Sequence, residues 1–260
     1  MSVKFTILGS GSGGNCAYIE TDDARILVDA GFSPRQIRQR LATISRVPEN
    51  LTGILITHEH SDHVQGLIGI AAKLNIPIYC NRATKEAFEF QLETKFDCRL
   101  FETGASFEIG DLLVETFTIP HDAQDPVGYL LRTPAGNIGF VTDLGHMTKL
   151  VLERIRPANV LVLESNHDVK MLQNCPRRSW SLKQRILGRH GHLSNEAAAE
   201  AAAHIMSAEL RHLYLAHLSR ECNRPELAHY VMAEQLHHIG ARHVQLQIAA
   251  QDVPCKTLEL

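Results

Sequence analysis

The sequence lacks several features that would place it in a specialised class of protein. None of its six cysteines lies in a C-x₂-C pair, which argues against a structural zinc module, and 260 residues are too many for a small disulfide framework. No apolar run approaches the ~18 residues of a membrane span. Residues 3–8 resemble a strand and not the charged start of a signal peptide. We therefore expect a soluble, cytoplasmic protein.

Linker-like sequence is missing as well. The chain contains no Pro/Ser-rich stretch, low-complexity tract or long block of like charge, and its hydrophobic share of 44% can supply a large core. A single domain covering residues 1–260 is the simplest expectation. The net charge of only −3 leaves room for a locally basic surface.

The glycines near the start of the chain do not form a recognised phosphate-binding motif. Between residues 9 and 14 they follow neither the Rossmann spacing nor the Walker pattern with its Lys-Ser/Thr, so a tight turn is favoured over a phosphate cradle. Among the cysteines, Cys16 and Cys222 adjoin segments of interest, and we expect both to serve in packing.

What the chain does contain is a dense group of metal-binding side chains in the run Thr-His-Glu-His-Ser-Asp-His at residues 57–63. Alternate residues of an extended segment share a face, so His58, His60 and Asp62 can converge while His63 points elsewhere. Neutral imidazoles bind Zn²⁺ or Mn²⁺ well, and a carboxylate adds charge neutralisation. The pattern predicts two neighbouring metal ions.

This H-x-H-x-D-H motif after an apolar strand resembles the metallo-β-lactamase superfamily. The resemblance implies further ligands from separate strand ends: a middle His, a bridging Asp and a late His. His121 and Asp143 fit the first two places, and His192 and His217 compete for the third. His217 follows a short apolar run, as the other proposed ligands do, so we assign it to the metal. His192 instead precedes Ser194, a plausible helix N-cap.

Within the superfamily, the later segments are similar to ribonuclease Z. There an acidic residue at a strand end pairs with a histidine that opens a helix, and Glu164 and His192 occupy the matching places here. The resemblance implies that His192 is a general acid held by Glu164, with Ser194 and Asn195 as candidate substrate-binding residues. No insertion long enough for a tRNA-gripping arm is evident, which weakens a tRNA-maturation role.

Nearly the whole chain resembles the YycJ (WalJ) family of bacterial metallo-hydrolases. That family is associated with 5′-to-3′ exonuclease action on double-stranded DNA, so the resemblance implies a DNA substrate. The segments that carry it are residues 8–16, 27–31, 58–63, 120–123, 139–143, 163–166, 192–195 and 216–219.

A basic stretch offers a second link to nucleic acid. Between residues 169 and 189 there are six Lys or Arg side chains, Trp180 and not one acidic residue. The stretch could bind nucleic acid or form a solvated helix face, and the sequence alone favours neither.

Strand-like and helix-like segments alternate in both halves of the chain, which predicts an α/β fold. The resemblance specifies a metallo-β-lactamase αββα sandwich, with two packed mixed sheets and helices on the outer faces. Strands are predicted near 3–8, 16–20, 25–29, 53–57, 76–80, 159–164, 212–216 and 243–248, and helices near 34–42, 63–74, 84–92, 195–207 and 225–238. Residues 106–118 and 127–142 are predicted to form antiparallel hairpins, with residues 134–137 as the turn of the second.

The resulting hypothesis is a dinuclear metal-dependent phosphodiesterase whose nucleophile is a hydroxide between two Zn or Mn ions. One ion is assigned to His58, His60 and His121, the other to Asp62, His63 and His217, with Asp143 bridging and Asp62 also orienting the nucleophile. The alternatives are a small-molecule ester or cyclic phosphodiester hydrolase, an RNA-processing nuclease, a flavin-linked di-iron protein and a non-catalytic metal-binding partner protein.

Overall fold

The computed structural model describes residues 2–207 and 209–260, and in this part of the chain two seven-stranded mixed sheets lie face to face. The side chains between the sheets form one hydrophobic cluster, to which Phe5 and Ile26 contribute from one sheet and Tyr129 and Val162 from the other. Two further clusters fill the spaces between each sheet and its outer helices. The layers are therefore helix, sheet, sheet, helix, as expected.

The first sheet is built mainly from the N-terminal half of the chain. Its strands run in the order β14-β1-β2-β3-β4-β5-β6. They are β1 (Lys4–Gly9), β2 (Cys16–Glu20), β3 (Arg25–Val28), β4 (Gly53–Leu55), β5 (Ile78–Cys80), β6 (Cys98–Leu100) and β14 (Leu258–Glu259). Its helices are α1 (Pro34–Thr43), α2 (Ser61–Val64) and α3 (Arg82–Leu92), with a 3₁₀ turn at Pro48–Asn50 and a π-helical segment at Ile68–Ala72.

The second sheet has the order β13-β12-β11-β10-β9-β8-β7. Its strands are β7 (Ser106–Ile109), β8 (Leu112–Thr118), β9 (Val127–Thr133), β10 (Gly136–Val141), β11 (Val160–Glu164), β12 (His212–Ala216) and β13 (Gln245–Ile248). Its helices are α4 (Lys149–Ile155), α5 (Val169–Asn174), α6 (Trp180–Leu187), α7 (Asn195–Ile205) and α8 (Pro225–His238).

Strand direction brings the candidate ligands to one edge of the sandwich. Strands β3 to β6 are parallel to one another, and so are β10 to β13. Parallel strands present their carboxyl ends at the same edge of a sheet. The loops that follow β4, β10, β11 and β12 are therefore neighbours, although they lie far apart in sequence.

Most predicted elements are confirmed within one to three residues, and the reasons are local. Helix α1 begins after Ser33, whose side chain and that of Gln36 form a capping box, with Pro34 at its first position. The β9–β10 hairpin turns at Pro134 and Ala135, as the sequence predicts. No helix among the described residues is long and apolar enough to cross a membrane.

The predicted helix near residues 63–74 is confirmed as helical, but it is not one regular α-helix. It consists of the turn α2 and the π-helical segment, and Gln65 and Leu67 between the two have right-handed helical dihedral angles. Gly66 lies between them because a Cβ there would come within 2.5 Å of the Phe32 carbonyl oxygen, and its N–H donates to the Ala30 carbonyl at 2.7 Å. This close approach to the loop after β3 fixes the position of α2.

Candidate metal centre

Two residues of the candidate site have an unusual backbone conformation. Asp143 and His217 follow β10 and β12 with φ of 58° and 56°, and Asp29 after β3 has φ of 61°. The left-handed region is uncommon for residues other than glycine, and such residues concentrate at functional sites. The change in direction at each strand end points these side chains into the space between the loops.

Three histidines form the first group of candidate ligands, which we call the three-histidine cluster: His58, His60 and His121. His58 Nε2 lies 3.0 Å and His121 Nε2 3.3 Å from His60 Nδ1. The other ring nitrogens are engaged, since His58 Nδ1 contacts the Thr57 hydroxyl at 3.0 Å and His121 Nδ1 donates to the Gly191 carbonyl at 3.1 Å. Three ring nitrogens facing one another suit a shared cation, and partners on the far nitrogens are typical of metal-binding imidazoles.

The second group, which we call the mixed cluster, consists of Asp62, His63 and His217. Asp62 Oδ2 lies 3.3 Å from His217 Nε2 and 3.5 Å from His63 Nε2. The prediction that Asp62 converges with His58 and His60 while His63 points elsewhere is wrong, because Asp62 and His63 lie in the same cluster. The chain does not stay extended through the motif, because α2 begins at Ser61 and turns the His63 ring back until its centroid is 4.1 Å from that of His58.

Asp143 lies between the two clusters. Its Oδ2 is 3.2 Å from His63 Nε2, and its Oδ1 is 3.4 Å from His217 Nδ1 and 3.8 Å from His121 Nε2. Asp143 is buried, and its Oδ2 has no oriented hydrogen-bond donor among the described residues. A buried carboxylate oxygen of this kind fits a divalent cation as its partner. The seven predicted ligands thus lie together, and the donor set suits divalent metal.

The electrostatic environments of the two clusters differ. Burial lowers the pKa of His58 well below its usual value, and it also lowers the pKa of His121. Burial alone would lower the pKa of His63 and His217 too, but neighbouring carboxylates, Asp143 among them, raise both pKa values well above the usual range. Without metal, protons are therefore favoured on His63 and His217 and disfavoured on His58 and His121.

Asp29 and Thr57 hold the histidines of the metal motif by hydrogen bonds, and the sequence did not identify either residue as part of the site. Asp29 Oδ1 accepts the Thr57 backbone N–H at 2.9 Å, and its Oδ2 accepts from His63 Nδ1 at 2.8 Å. This hydrogen bond leaves His63 Nε2 facing the mixed cluster. The available signal was an acidic residue directly after the apolar strand β3.

His192 lies beside the mixed cluster and is paired with Glu164. Its Nδ1 donates to Glu164 Oε1 at 2.8 Å, and the same oxygen accepts from His217 Nδ1 at 2.8 Å. The other oxygen of Glu164 accepts the backbone N–H groups of Leu144 and Leu193, each at 2.9 Å. Burial opposes ionisation of Glu164, but His192 and His217 hold its pKa at about 2.

The pairing with Glu164 favours the protonated form of His192. Burial acts against the charged ring, and the Glu164 carboxylate outweighs it and raises the pKa of His192 above its usual value. The ring is 21% exposed and lines the cleft. With Nδ1 committed to Glu164, Nε2 is the nitrogen that can carry a proton toward a bound molecule.

Ser194 and Asn195, which follow His192 in the sequence, hydrogen-bond with other parts of the protein. The Ser194 hydroxyl accepts the Ala197 N–H at 3.1 Å and caps α7, as predicted. Asn195 is buried, and its amide bonds with the Ser165 hydroxyl at 2.7 Å and with Asn223 at 2.8 and 2.9 Å. These contacts favour a supporting role for Asn195 over contact with substrate.

A cleft of about 210 Å³ opens above the clusters, and α6 with the segment before it forms one wall. We call residues 177–187 the α6 wall. Arg185 pairs with Asp122, which adjoins His121, and Arg178 Nε lies 2.7 Å from Glu221 Oε2 on the loop after His217. The cleft is lined by Ser12, His60, Asp62, His121, Asp122, Asp143, Asn166, Arg178, Leu182, Arg185, Ile186, Gly191, His192, His217 and Ser219.

The basic stretch therefore divides into parts with different surroundings. Arg178 and Arg185 line the cleft, whereas Lys183 is buried and donates to the Gln173 carbonyl at 2.7 Å. A helix turns about 100° per residue, which places the 65% exposed Trp180 about 200° from the cleft-facing Leu182. Trp180 thus lies on the outer face of α6.

The cysteines of interest pack in the interior. Cys16 is buried in the cluster beneath the first sheet's helices, and Cys222 packs with Leu172, Cys175 and Ile186 under the α6 wall. Both placements agree with the expected packing role.

Comparison with known proteins identifies relatives for most of the chain. A model of the "Beta-lactamase superfamily domain" matches residues 24–218. The exodeoxyribonuclease YycJ of Bacillus anthracis is 39% identical over 245 residues, covering 92% of this chain and 91% of that protein. The exodeoxyribonuclease WalJ of Streptococcus pneumoniae is 41% identical over 237 residues, covering 90% and 88%.

A solved structure supports the architecture. The metallo-beta-lactamase fold protein YhfI from Bacillus subtilis superposes with a TM-score of 0.71 at 16% identity, over 98% of this chain and 99% of that one. At this identity the likeness concerns the fold alone.

Proposed function

Because the chain belongs to the beta-lactamase superfamily and, within it, to the family of the YycJ and WalJ exodeoxyribonucleases, we propose that it is a metal-dependent exonuclease that degrades double-stranded DNA from the 5′ end. The names of these relatives support DNA as the substrate. The 5′-to-3′ direction is the part of the proposal that depends most on the family resemblance.

The observation that carries the proposal is the His192–Glu164 pair at the edge of the mixed cluster. The Nδ1–Oε1 distance is 2.8 Å, and the Glu164 carboxylate raises the pKa of His192, which favours the protonated ring. An alkoxide leaving group of a phosphodiester needs a proton when its bond to phosphorus breaks. His192 Nε2 is the group of this cleft best placed to donate that proton as general acid.

The seven predicted ligands would hold two divalent ions, either Zn²⁺ or Mn²⁺. The three-histidine cluster would bind one and the mixed cluster the other, with Asp143 shared. Ions in such a pair lower the pKa of water from its bulk value toward ~7 and stabilise negative charge on a phosphate. Histidine and carboxylate donors suit both metals, so activity assays with each metal are needed to identify which one the protein uses.

The chain's own positive charge supplies the contacts with a polyanion. Arg178 and Arg185 line the cleft on the α6 wall, and both are held at its rim by carboxylates. A phosphate group carries the same charge as those carboxylates and can replace them as the partner of a guanidinium. Binding of DNA would therefore exchange existing ion pairs for contacts with phosphates.

A second candidate function deserves a test because the cleft is compact. Its volume of about 210 Å³, and the apolar side chains of Leu182 and Ile186 on one wall, would also suit a small cyclic phosphodiester or ester. The same general acid and the same ligands would serve that reaction.

The deciding experiment compares substrates under identical conditions. Purified protein is incubated with 5′- and 3′-labelled duplex DNA, single-stranded DNA, RNA and a cyclic dinucleotide, with Zn²⁺ or Mn²⁺ and with chelator. We expect mononucleotides to be released from the 5′ end of duplex DNA, with activity abolished by the chelator. Release from the 3′ end would reverse the proposed polarity, preferential cleavage of RNA would replace the substrate, and turnover of the cyclic dinucleotide alone would establish the second candidate.

A further inference from the structure

The glycine- and serine-rich turn between β1 and β2 lies directly against the mixed cluster, and its last residue, Asn15, contacts two of the three ligands. Asn15 Nδ2 donates to Asp62 Oδ2 at 3.2 Å and lies 3.1 Å from His63 Nε2. Its backbone N–H donates to the Asp62 carbonyl at 2.8 Å. Asn15 is buried, with 5% of its surface exposed. It therefore holds Asp62 by both the side chain and the backbone.

The orientation of the Asn15 amide follows from its other contacts. The Gly11 backbone N–H donates to Asn15 Oδ1 at 3.0 Å, and the Ser10 hydroxyl donates to the same oxygen at 2.8 Å. Two donors at one side of the amide require an oxygen there, so the NH₂ group faces the ligands. The turn thus fixes the orientation of the Asn15 amide by holding its oxygen.

Ser10 extends the contact to the third ligand. While its hydroxyl donates to Asn15, its oxygen accepts the His217 backbone N–H at 2.9 Å. A continuous chain of hydrogen bonds then runs from Asp62 through Asn15 and Ser10 to His217. It joins the first sheet's loops to the end of β12 in the second sheet, across a sequence separation of 155 residues between the two ligands.

The turn has little freedom to shift. The Gly31 N–H donates to the Asn15 carbonyl at 2.9 Å, and a Cβ on Gly31 would lie 1.6 Å from the Asp62 carbonyl oxygen. At Gly14, φ is 150° and a Cβ would come within 2.5 Å of the Phe32 ring. Backbone packed this closely transmits the position of the turn to Asp62.

We propose that Asn15, tied to His217 through Ser10, is a positioning residue that sets the affinity of the mixed cluster for its metal ion. It fixes the separation of Asp62 and His217 before the ion arrives, so less ordering remains to be done when the ion binds. The inference rests on the proposed metal centre but not on the identity of the substrate.

The effect is selective because the three-histidine cluster is held by other groups. His58 is contacted by the Thr57 hydroxyl and His121 by the Gly191 carbonyl, and neither partner belongs to the turn. Loss of the Asn15 amide should therefore weaken one ion site and leave the other as it was.

The test measures zinc binding by the full-length protein, first stripped with chelator, in calorimetric titrations and by elemental analysis after dialysis. The wild-type protein should bind two ions per chain. In Asn15→Ala, one affinity should match the wild type and the other should fall about 10- to 100-fold, the range for groups that support metal ligands. Ser10→Ala should show a smaller loss at the same site.

Asn81→Ala is the matched control. Asn81 is equally buried, but its amide caps α3 at Thr84 and donates to the Asp125 carbonyl at 2.7 Å, away from the ligands. It should lose stability while binding two ions with wild-type affinities. Thermal unfolding of each variant in excess zinc separates a folding defect from a binding defect.

The inference is overturned if Asn15→Ala binds both ions as tightly as the wild type, if both affinities fall together, or if the wild type binds a single ion. Failure of the proposed function gives a different result. Two-ion binding with the predicted Asn15→Ala loss, but no cleavage of any nucleic acid, would leave the positioning role intact and remove the nuclease assignment.

Discussion

The two halves of the candidate metal centre are built from opposite kinds of chemistry. In the three-histidine cluster burial lowers the pKa values of His58 and His121, whereas in the mixed cluster carboxylates raise the pKa values of His63 and His217. The supports differ in the same way. The Gly191 carbonyl holds only the first cluster, whereas the charged side chains of Asp29 and Glu164, with the Asn15 amide, hold the second. The Thr57 hydroxyl contacts a histidine of each cluster.

This difference implies a division of roles. The rings of His58 and His121 need release no proton when an ion binds, so we expect the three-histidine cluster to hold its ion more readily. Binding of an ion at the mixed cluster would release protons, and this cluster adjoins His192, the proposed general acid. We therefore expect the mixed cluster to limit activity when metal is scarce.

The largest expected effect comes from removing the carboxylate that distinguishes the mixed cluster. Asp62→Ala should lower kcat by an amount on the order of 10³- to 10⁴-fold, because it removes a ligand and misplaces the reacting groups. Elemental analysis should find one ion retained. Nuclease activity within tenfold of the wild type would remove Asp62 from the site.

The mirror variant, His60→Ala, tests the other half. It should lose the ion of the three-histidine cluster and leave zinc binding by Asp62, His63 and His217 measurable. If either variant loses both ions, the clusters act as one site and the comparison between them fails.

The next effect concerns His192. His192→Ala should lower kcat about 10²- to 10³-fold through loss of the general acid, with both ions retained and KM little changed. Assays on a substrate with a better leaving group, such as a nitrophenyl phosphodiester, should recover much of the loss because that group needs no proton. Loss of metal from this variant would instead make His192 a ligand.

A smaller effect is expected at the α6 wall, where Arg185 pairs with Asp122 beside His121, and Arg178 pairs with a carboxylate on the loop after His217. Arg185→Ala, next to the three-histidine side, and Arg178→Ala, next to the mixed side, should each raise KM for DNA about tenfold and reduce the salt dependence of binding by about one phosphate contact. Arg156→Ala is the control, since that arginine is 55% exposed and pairs with Glu153 on α4. Unchanged salt dependence would mean that DNA does not contact the wall.

The smallest effect is a pH dependence of stability in the metal-free protein. The raised pKa values of His63 and His217 contribute stability that is complete below their unfolded pKa of ~6.5 and is lost as pH rises through the folded values. The lowered pKa values of His58 and His121 act in the opposite direction, so their contribution is lost as pH falls below ~6.5.

Thermal unfolding in chelator between about pH 5.5 and pH 9 measures how the melting temperature changes with pH on the acid and on the alkaline side. The melting temperature should pass through a maximum and fall on either side. His217→Ala should flatten the alkaline side, and His121→Ala should flatten the acid side. A common slope in both variants would show that the clusters do not differ in their proton affinity.

The spacing of residues 57–63 after an apolar strand predicted four of the candidate ligands, and the alternation of strands and helices predicted an α/β fold. The resemblance to the superfamily implied His121, Asp143 and His217 and specified the αββα sandwich. The prediction from spacing was wrong at His63, where the assumption of an extended segment ignored the turn that α2 makes against Gly66 and the loop after β3. The position of that turn depends on contacts with residues 30–34. These residues are distant in sequence, so the pattern around His63 does not reveal the contacts.

The supporting residues could not be identified for a related reason. Asn15 and Asp29 belong to segments noted for their family resemblance, yet their contacts join positions 28 to 47 residues apart. Likewise, the basic stretch could not be divided by charge alone, because only its packing shows that Lys183 is buried and that Trp180 faces away from the cleft.

Both clusters combine donors from the two sheets, since His58, His60, Asp62 and His63 follow β4, whereas His121 and His217 follow β8 and β12. An ion bound at either cluster would therefore link the two sheets of the sandwich. Motions that separate the sheets must first release metal, so saturating zinc should slow amide hydrogen exchange in β4 and β12 together. By mass action, each ion site should raise the free energy of unfolding by about 1.4 kcal/mol for each tenfold rise in free metal above its dissociation constant.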